Sequence, residues 1–450
     1  MTRLFGTDGV RGLANVDITA PLALELGEAA ARLTIQGRPA SAGHKPKAII
    51  GRDTRISGEF LDHALAAGLA SAGMDVVRVG VVTTPTVAHL TASSSVDLGV
   101  MISASHNPMP DNGIKFFAHG GYKLPDQVED QIQELLNTSW ERPTGDAVGE
   151  VEYDDDWAEK SYVEHLMNSL GTDLRGLRIA VDCANGGASF LAPEAFRQAG
   201  ADAVVINAAP DGRNINDKAG STHPEQLQAL TVASEADFGV AYDGDADRCL
   251  AVDRHGNIVD GDKIMGSLAV HMRDEGQLAK DTLVVTVMSN LGLILAMEEA
   301  GIKTVQTGVG DRYVLEAMLE GGYSLGGEQS GHIIAKKYAT TGDGILSSLL
   351  LARMVKESGR DLADLTGFIK RLPQTLINVG GVDRARAATD PTVAEAVAAA
   401  EAVLGNTGRV LLRPSGTEPL VRVMVEAATQ AQADGVASRL ADVVKESLAL

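Results

Sequence analysis

The chain has 450 residues, with 39 Lys and Arg against 60 Asp and Glu, a formal net charge of −21, and 44% hydrophobic residues. That acidic balance argues against a nucleic-acid partner, whose affinity rests largely on Lys and Arg against phosphates, and at roughly 150 residues per domain the length predicts about three domains. No apolar run approaches the ~18–20 residues of a membrane helix, MTRLFGTDGVRG lacks the apolar region of a signal peptide, and Cys183 and Cys249 form no CxxC pair, so a cytoplasmic protein with reduced, buried thiols and no membrane partner is expected.

In chain order, KAIIGRDTR reads as a strand and turn, SGEFLDHALAAGLASAG as a helix and MDVVRVGVV as a second strand. The apolar DLGVMI then runs into ISASHNP, which sets Ser103, Ser105, His106 and Asn107 at a strand end. Taken alone, such a serine is a turn hydroxyl or a nucleophile, and the GxSxG elbow of acyl-transfer enzymes is absent. DNGIKFF follows closely enough for Lys115 to return to the same place, and an ammonium beside a serine suits phosphate. The acidic EVEYDDDWAEK predicts a boundary.

The strand–helix–strand order then recurs as LRIAVDCANGG, APEAFRQAG and ADAVVINAA, and again as TLVVTVMSNLG, LILAMEEAG and IKTVQTGVG, with DRHGNIVDGDK as the boundary between these copies. Each helix ends at Ala-Gly, a C-terminal capping signal. Strands alternating with helices predict a largely parallel sheet in each copy, hence a triplicated α/β unit.

The second copy carries Asp243, Asp245 and Asp247 with Arg248 in DGDADR, after the apolar DFGVAY. Carboxylates at alternate positions can converge on one hard cation, and three monodentate ligands leave room for a phosphate oxygen on Mg²⁺. An EF-hand is ruled out, because its glycine and glutamate positions hold Arg248 and Arg254. The third copy carries Glu328, Gln329, Ser330 and His332 in GGEQSGH, an inventory suited to sugar hydroxyls, with His332 either a proton carrier or structural. The C-terminal stretch reads as α+β: strands LPQTLINVGGV and GRVLLRPSGTEPLVRVMVEA, an Ala-rich helix between them and a closing helix. Arg413, Ser415, Gly416 and Thr417, with Arg422 beyond, form either a phosphate site or an ordinary hairpin turn.

Together the four loops describe one pocket: a serine, a divalent metal, a polyol reader and a remote phosphate clamp. In that pocket Ser105, rather than Ser103, is the phosphoryl carrier, with His106 and Asn107 shaping its turn.

FGTDGVRG, ISASHNPMPDNGIKFF, DGDADRC, GGEQSGH and RPSGTEP, in this order and spread over the whole chain, resemble the motifs of the α-D-phosphohexomutases. The resemblance implies four domains around a central cleft: three similar mixed-sheet α/β/α domains over residues 1–155, 156–257 and 258–372, and a C-terminal α+β domain over 373–450. It implies a phosphoserine at Ser105 that completes a site for one Mg²⁺ with Asp243, Asp245 and Asp247, Arg248 supporting that loop. Arg11, Lys115 and His332 match positions for phosphate activation and proton transfer, Glu328 and Ser330 match sugar-hydroxyl readers, and Arg413, Ser415, Gly416, Thr417 and Arg422 match the clamp. The implied reaction interconverts glucosamine 6-phosphate and glucosamine 1-phosphate through a 1,6-bisphosphate, supplying amino-sugar nucleotide and cell-wall precursor synthesis, in a monomer or homodimer. Gln329 and the FGTDGVRG start look like the glucosamine branch. Glucose or mannose phosphates are the competing substrates, and a non-catalytic sugar-phosphate sensor would need neither the serine nor the carboxylates.

Overall fold

In the computed structural model, residues 3–6, 8–37, 45–414 and 420–450 are described. Contacts divide the chain into two compact units, Met1–Met288 with Ile302–Gly367, and Ser289–Gly301 with Phe368–Leu450. Among the described residues, no helix is long and apolar enough to cross a membrane.

The first sheet is built from β1 (Val10–Leu13), β2 (Lys47–Arg52), β3 (Asp75–Val81), β4 (Leu98–Ile102), β5 (Asp111–Ala118) and β6 (Val151–Tyr153), in the order β1-β5-β4-β2-β3-β6. β2 lies parallel to β3 and β4, and β5 returns antiparallel to β4. The second sheet comprises β7 (Arg178–Asp182), β8 (Asp202–Ile206), β9 (Phe238–Tyr242), β10 (Cys249–Asp253) and β11 (Ile258–Val259). Here β7 is parallel to β8 and β9, and β10 returns antiparallel to β9. The third comprises β12 (Thr282–Thr286), β13 (Lys303–Thr307), β14 (Leu325–Gly327) and β15 (Ile333–Ala335), with β12 parallel to β13 and β14, and β15 antiparallel to β14. The same four-strand topology therefore occurs three times, and the triplication expected from the sequence is a property of the fold.

Local chemistry explains the elements. The central parallel strands are buried on both faces: every residue of β4, β9 and β12 is buried. The helices Ile56–Ser71, Ala188–Gln198 and Leu291–Glu299 each end at Ala-Gly, and Gly73, Gly200 and Gly301 take φ of 95°, 85° and 72°, the left-handed conformation that stops a helix at small cost. Thr83 caps the helix Thr84–Ser93 through Thr86 N, and Asp343 caps Gly344–Ser358 through Leu346 N. Cys183 and Cys249 are buried free thiols.

Both expected boundary segments contain short edge strands. Val151–Tyr153 pairs with β3, and Ile258–Val259, expected at the start of the third domain, pairs back on β10 in the second sheet. The helix Leu291–Glu299 lies between β12 and β13 in sequence yet belongs to the second unit. Asn290, its N-cap, donates to Leu372 O (3.1 Å) and to the buried Glu426 (3.0 Å), and Glu426 also accepts from Leu291 N (2.9 Å).

The second unit also holds a three-stranded antiparallel sheet of β16 (Gln374–Gly380), β17 (Arg409–Pro414) and β18 (Leu420–Glu426), in the order β16-β18-β17, with helices Pro391–Leu404 and Gln430–Ser447. Val421, Val423 and Val425 alternate inward against Val436, Leu440 and Val444 of the last helix.

One joint in the first unit should respond to pH. His89 on Thr84–Ser93 stacks on His165 of the helix Asp155–Leu170, with ring centroids 4.2 Å apart. Burial, then the neighbouring His165, lowers the His89 pKa to about 4. A base with a depressed folded pKa contributes stability above its unfolded pKa of ~6.5 and loses it as pH falls toward 4. Discounted for partial exposure, the expected loss over that window is about 1–3 kcal/mol. Urea titrations at pH 7 and pH 4.5 should show this component in the wild type and not in His89→Phe; equal acid sensitivity in both would contradict it.

Candidate active site

In all three repeats the loop that carries chemistry is the same connection, from the third parallel strand to the returning antiparallel strand. Ser103–Pro110 joins β4 to β5, Asp243–Arg248 joins β9 to β10, and Glu328–His332 joins β14 to β15. Loops at the carboxyl ends of parallel strands are where α/β folds place their ligands.

The first of these loops is held by Arg55, whose side chain is 0% exposed. Its Nε donates to Asp53 (2.9 Å). Nη1 donates to the carbonyls of Pro108 (2.5 Å) and Asp111 (3.1 Å), and Nη2 to those of Ser105 (3.0 Å) and Asn107 (2.8 Å). All five N–H groups are used, four of them on one turn. Asn216 Nδ2 adds donors to the carbonyls of Ser105 (2.9 Å) and Asn107 (3.1 Å). So held, Ser105 adopts φ 52°, an unfavourable conformation for a residue with a Cβ and one that persists only where its surroundings impose it.

The two serines are sharply distinguished. Ser103 Oγ donates to Asp53 (2.7 Å) and accepts from Ser105 N (2.9 Å), so its hydroxyl is consumed by the loop itself. Ser105 Oγ instead donates to Asp243 Oδ2 (2.5 Å) on the facing loop, with His106 Nδ1 3.4 Å away. Burial, then the cations Arg248 and Arg11, lowers the His106 pKa to about 4. Asn107 ties the far side of the turn to Asp111 through its amide (2.9 Å).

Asp243, Asp245 and Asp247 are all buried, with one oxygen from each lying within 4.8 Å of the others. Burial, then the charges of Asp247 and Asp245, pushes the Asp243 carboxyl well above the usual range. Asp245 shows the opposite behaviour: burial opposes its charge, but Lys115 (2.7 Å) and Thr84 Oγ1 (2.6 Å) hold its pKa below the usual value. One oxygen of Asp245 and one of Asp247 are buried without a hydrogen-bond partner among the described residues. Orphaned buried acceptors beside a carboxyl under like-charge strain are a donor set that fits a hard divalent cation. Arg248 supports this loop, its main-chain N–H pointing to Asp243 (3.3 Å) and its guanidinium lying beside Asp247 (3.8 Å).

Cations and anions alternate outward from this cluster. Lys115, 2% exposed in its side chain, pairs with Asp245 (2.7 Å), Asp8 (3.0 Å) and Asp247 (3.6 Å). Burial opposes its charge, and these carboxylates more than reverse that, raising its pKa. Asp8 also pairs with Arg11 and with Lys123 (2.5 Å), and Lys123 reaches Asp311 in the third repeat. Asp311 lies 3.4 Å from His332 Nε2. Ser105, Asp243, Asp245, Asp247, Arg11, Lys115 and His332 are thus joined by one continuous network within the first unit.

The sugar-loop candidates are less constrained. Glu328 is half-buried, with Oε1 accepting from Gly310 N (3.1 Å), and Ser330 is exposed. Gln329 donates one amide N–H to Asp262 (3.1 Å). In the second unit Arg413 and Arg422 are register partners across the β17–β18 hairpin. Ser415, Gly416 and Thr417 lie outside the described residues.

Asp8, Asp53, Arg55, Thr84, Lys123, Asn216 and Asp311 were not singled out from the sequence. Asp8 and Arg55 sit inside FGTDGVRG and GRDTR, where a charged residue next to an apolar strand was the available signal.

Known proteins carry the same organisation. Residues 2–142, 160–256, 260–372 and 376–443 match, respectively, alpha/beta/alpha domains I, II and III and the C-terminal domain of phosphoglucomutase/phosphomannomutase. Phosphoglucosamine mutase of Bifidobacterium animalis subsp. lactis is 60% identical over 455 residues, and that of Streptomyces coelicolor 59% identical over 453, each alignment covering 100% of both chains. A phosphoglucomutase/phosphomannomutase family protein from Burkholderia thailandensis superposes with a TM-score of 0.82 at 26% identity, covering 99% of this chain and 98% of its own. An Aspergillus fumigatus N-acetylphosphoglucosamine mutase, in complex with GlcNAc-6P and magnesium, shares the fold with a TM-score of 0.69 at 20% identity, over 99% and 96% of the two chains.

The grip of Arg55 is testable. Arg55→Met leaves buried Asp53 without its cation and removes one donor from each of four carbonyls, two of which keep Asn216, and should lower stability by about 3–5 kcal/mol in urea titration. Arg55→Lys keeps the charge but has too few donors for every carbonyl, and should cost about 1–3 kcal/mol. A loss below ~1 kcal/mol in Arg55→Met would contradict this role.

Proposed function

The chain belongs to the phosphoglucomutase/phosphomannomutase family, and on that premise we propose that it is an isomerase interconverting glucosamine 6-phosphate and glucosamine 1-phosphate through a phosphoserine at Ser105 and a glucosamine 1,6-bisphosphate. The observation that carries the chemistry is Ser105 Oγ held against Asp243 in a cluster of three buried carboxylates. The substrate follows from relatives near 60% identity along the whole chain, all phosphoglucosamine mutases. The product supplies amino-sugar nucleotide and peptidoglycan precursor synthesis.

Asp243, Asp245 and Asp247, with a phosphate oxygen on Ser105, would hold Mg²⁺. When bound, the ion neutralises charge on the transferring phosphoryl group. The remaining work falls to the chain's own residues. In the first half-reaction the P–Oγ bond of Ser105 breaks, phosphorus bonds the free sugar hydroxyl oxygen, and a proton passes from that hydroxyl to the site while Oγ gains one. The second half-reaction returns the other phosphoryl to Oγ and restores a proton to the sugar. Arg11 and Lys115 hold the phosphoryl in place, and His332 donates a hydrogen bond to the reacting sugar oxygen. Phosphoryl transfer needs positioning and charge stabilisation above all, and the ion pairs of Lys115 keep it protonated for that role. Glu328 and Ser330 read sugar hydroxyls, while Arg413, Ser415, Gly416, Thr417 and Arg422 hold the phosphate that does not react. The working division into four domains, 1–155, 156–257, 258–372 and 373–450, gives each of these loops a domain of its own.

Ser105→Ala should abolish interconversion with the fold intact, while Ser103→Ala retains measurable turnover; wild-type rates in Ser105→Ala would refute the carrier. Chelation should stop turnover and Mg²⁺ restore it, with Asp245→Ala unresponsive; full activity in excess chelator would remove the metal from the reading. If Glu328 contacts the protonated 2-amine, a charge-assisted contact of ~1–3 kcal/mol makes kcat/KM for glucosamine phosphate roughly 10–100 times that for glucose phosphate. Equal values would move the protein to the general hexose-phosphate branch.

A further inference from the structure

We propose that the Lys123–Asp311 ion pair is the positioning element for His332, holding its imidazole as the Nδ1–H tautomer at a fixed place relative to the Ser105 loop. The inference rests on the reading of His332 given above and adds two residues to it. Lys123 follows β5, the strand that carries Lys115, and Asp311 opens the helix Asp311–Gly321 of the third repeat, so the pair joins the two repeats.

The geometry at His332 Nε2 is the first support. The imidazole is buried, and Nε2 accepts from Gly342 N at 3.2 Å. A backbone N–H is an obligate donor, so Nε2 carries no hydrogen and Nδ1 does. Asp311 Oδ2 lies 3.4 Å from the same Nε2, an acceptor facing an acceptor. A free carboxylate there would draw a hydrogen onto Nε2 and displace the Gly342 contact. Lys123 removes that tendency by pairing with Asp311, whose other oxygen accepts from Arg312 N (2.8 Å). Nδ1, the nitrogen left with the hydrogen, is buried and has no hydrogen-bond partner among the described residues. A buried imidazole donor without a protein partner is a group kept for a substrate oxygen.

Burial strengthens the pair. The side chains of Lys123 and Asp311 are 10% and 14% exposed, and they adjoin a cavity of about 190 Å³ walled in part by Leu315, Leu319 and Ile334. An ion pair with apolar surroundings is screened little, so it fixes geometry more firmly than a surface pair does. Lys123 also pairs with Asp8, which pairs with Lys115. The position of His332 is thereby tied to the lysine beside the Ser105 loop.

Arg312 offers an internal control. It bridges the same two repeats through Leu124 O (2.9 Å), Glu129 (3.2 Å) and Asp126, and none of these contacts involves His332. Lys123→Met should lower kcat ~10–100-fold with KM within about threefold, the scale expected when a reacting group moves by an ångström. Lys123→Arg should recover most of that loss, and Arg312→Leu should change kcat by less than about threefold. With ¹⁵N-histidine labelling, and the His332 signal assigned by its absence in His332→Gln, wild type should show the Nδ1–H tautomer and Lys123→Met a substantial Nε2–H population. Equal losses of kcat in Lys123→Met and Arg312→Leu would reduce the pair to a plain domain joint, and an unchanged imidazole signal in Lys123→Met would overturn the proposal. The imidazole signal is read without substrate, so a wild type inactive on glucosamine phosphate would refute the proposed function while leaving this test decisive.

Discussion

Three carboxylates buried on one short loop are the constraint on which the rest of the site depends. Asp243, Asp245 and Asp247 cannot all stay charged at this separation without nearby positive charge. The protein meets the requirement in part: Lys115 holds Asp245 ionised, whereas Asp243 is forced toward its protonated form. That imbalance leaves a place for a cation on the face where Ser105 sits. Lys115 in turn needs Asp8, and Asp8 is shared with Arg11 and Lys123. A local electrostatic problem is thus solved by a network that reaches the third repeat.

Triplication supplies the means. One strand order, used three times, ends each time in a connection between a parallel and an antiparallel strand, and each connection carries different groups: the Ser105 hydroxyl, three carboxylates, and Glu328 with His332. The strands leading into these turns, β4, β9 and β14, carry only apolar residues, glycine and one tyrosine, so the chemistry is placed in the turns. The helix Thr84–Ser93 links the first two copies: Thr84 donates through both its backbone N–H (2.9 Å) and its hydroxyl (2.6 Å) to Asp245. The positive φ of Ser105 and of Ala246 shows that both facing loops are held by their surroundings, not by their own preference.

Much of this was legible in the sequence because it is local. Apolar runs marked the strands, Ala-Gly marked helix ends that became left-handed glycines, and alternate aspartates marked a buried carboxylate cluster able to hold a cation. Ser105 was preferred to Ser103 from the four loops taken together, and in the fold the Ser103 hydroxyl is bonded to Asp53 while that of Ser105 faces Asp243. What could not be read were partners distant in the chain. Arg55 reaches four carbonyls far along the chain, and Lys123 meets Asp311 across two repeats; no spacing rule encodes such pairs. The bond from the Gln329 amide to Asp262, a residue with no motif of its own, is another such pairing. The membership of Leu291–Glu299 in the second unit was hidden for the same reason, since it depends on Asn290 meeting Leu372 and Glu426.

The central claim is that Ser105 carries the phosphoryl group that the sugar receives. The most direct measurement is a single-turnover transfer with protein radiolabelled at the phosphoserine, mixed with unlabelled glucosamine 6-phosphate and quenched over time. Label should leave Ser105 and appear in glucosamine 1,6-bisphosphate and then in the monophosphate pool, no more slowly than glucosamine 1-phosphate forms. Label that stays on the protein while glucosamine 1-phosphate accumulates would contradict the account.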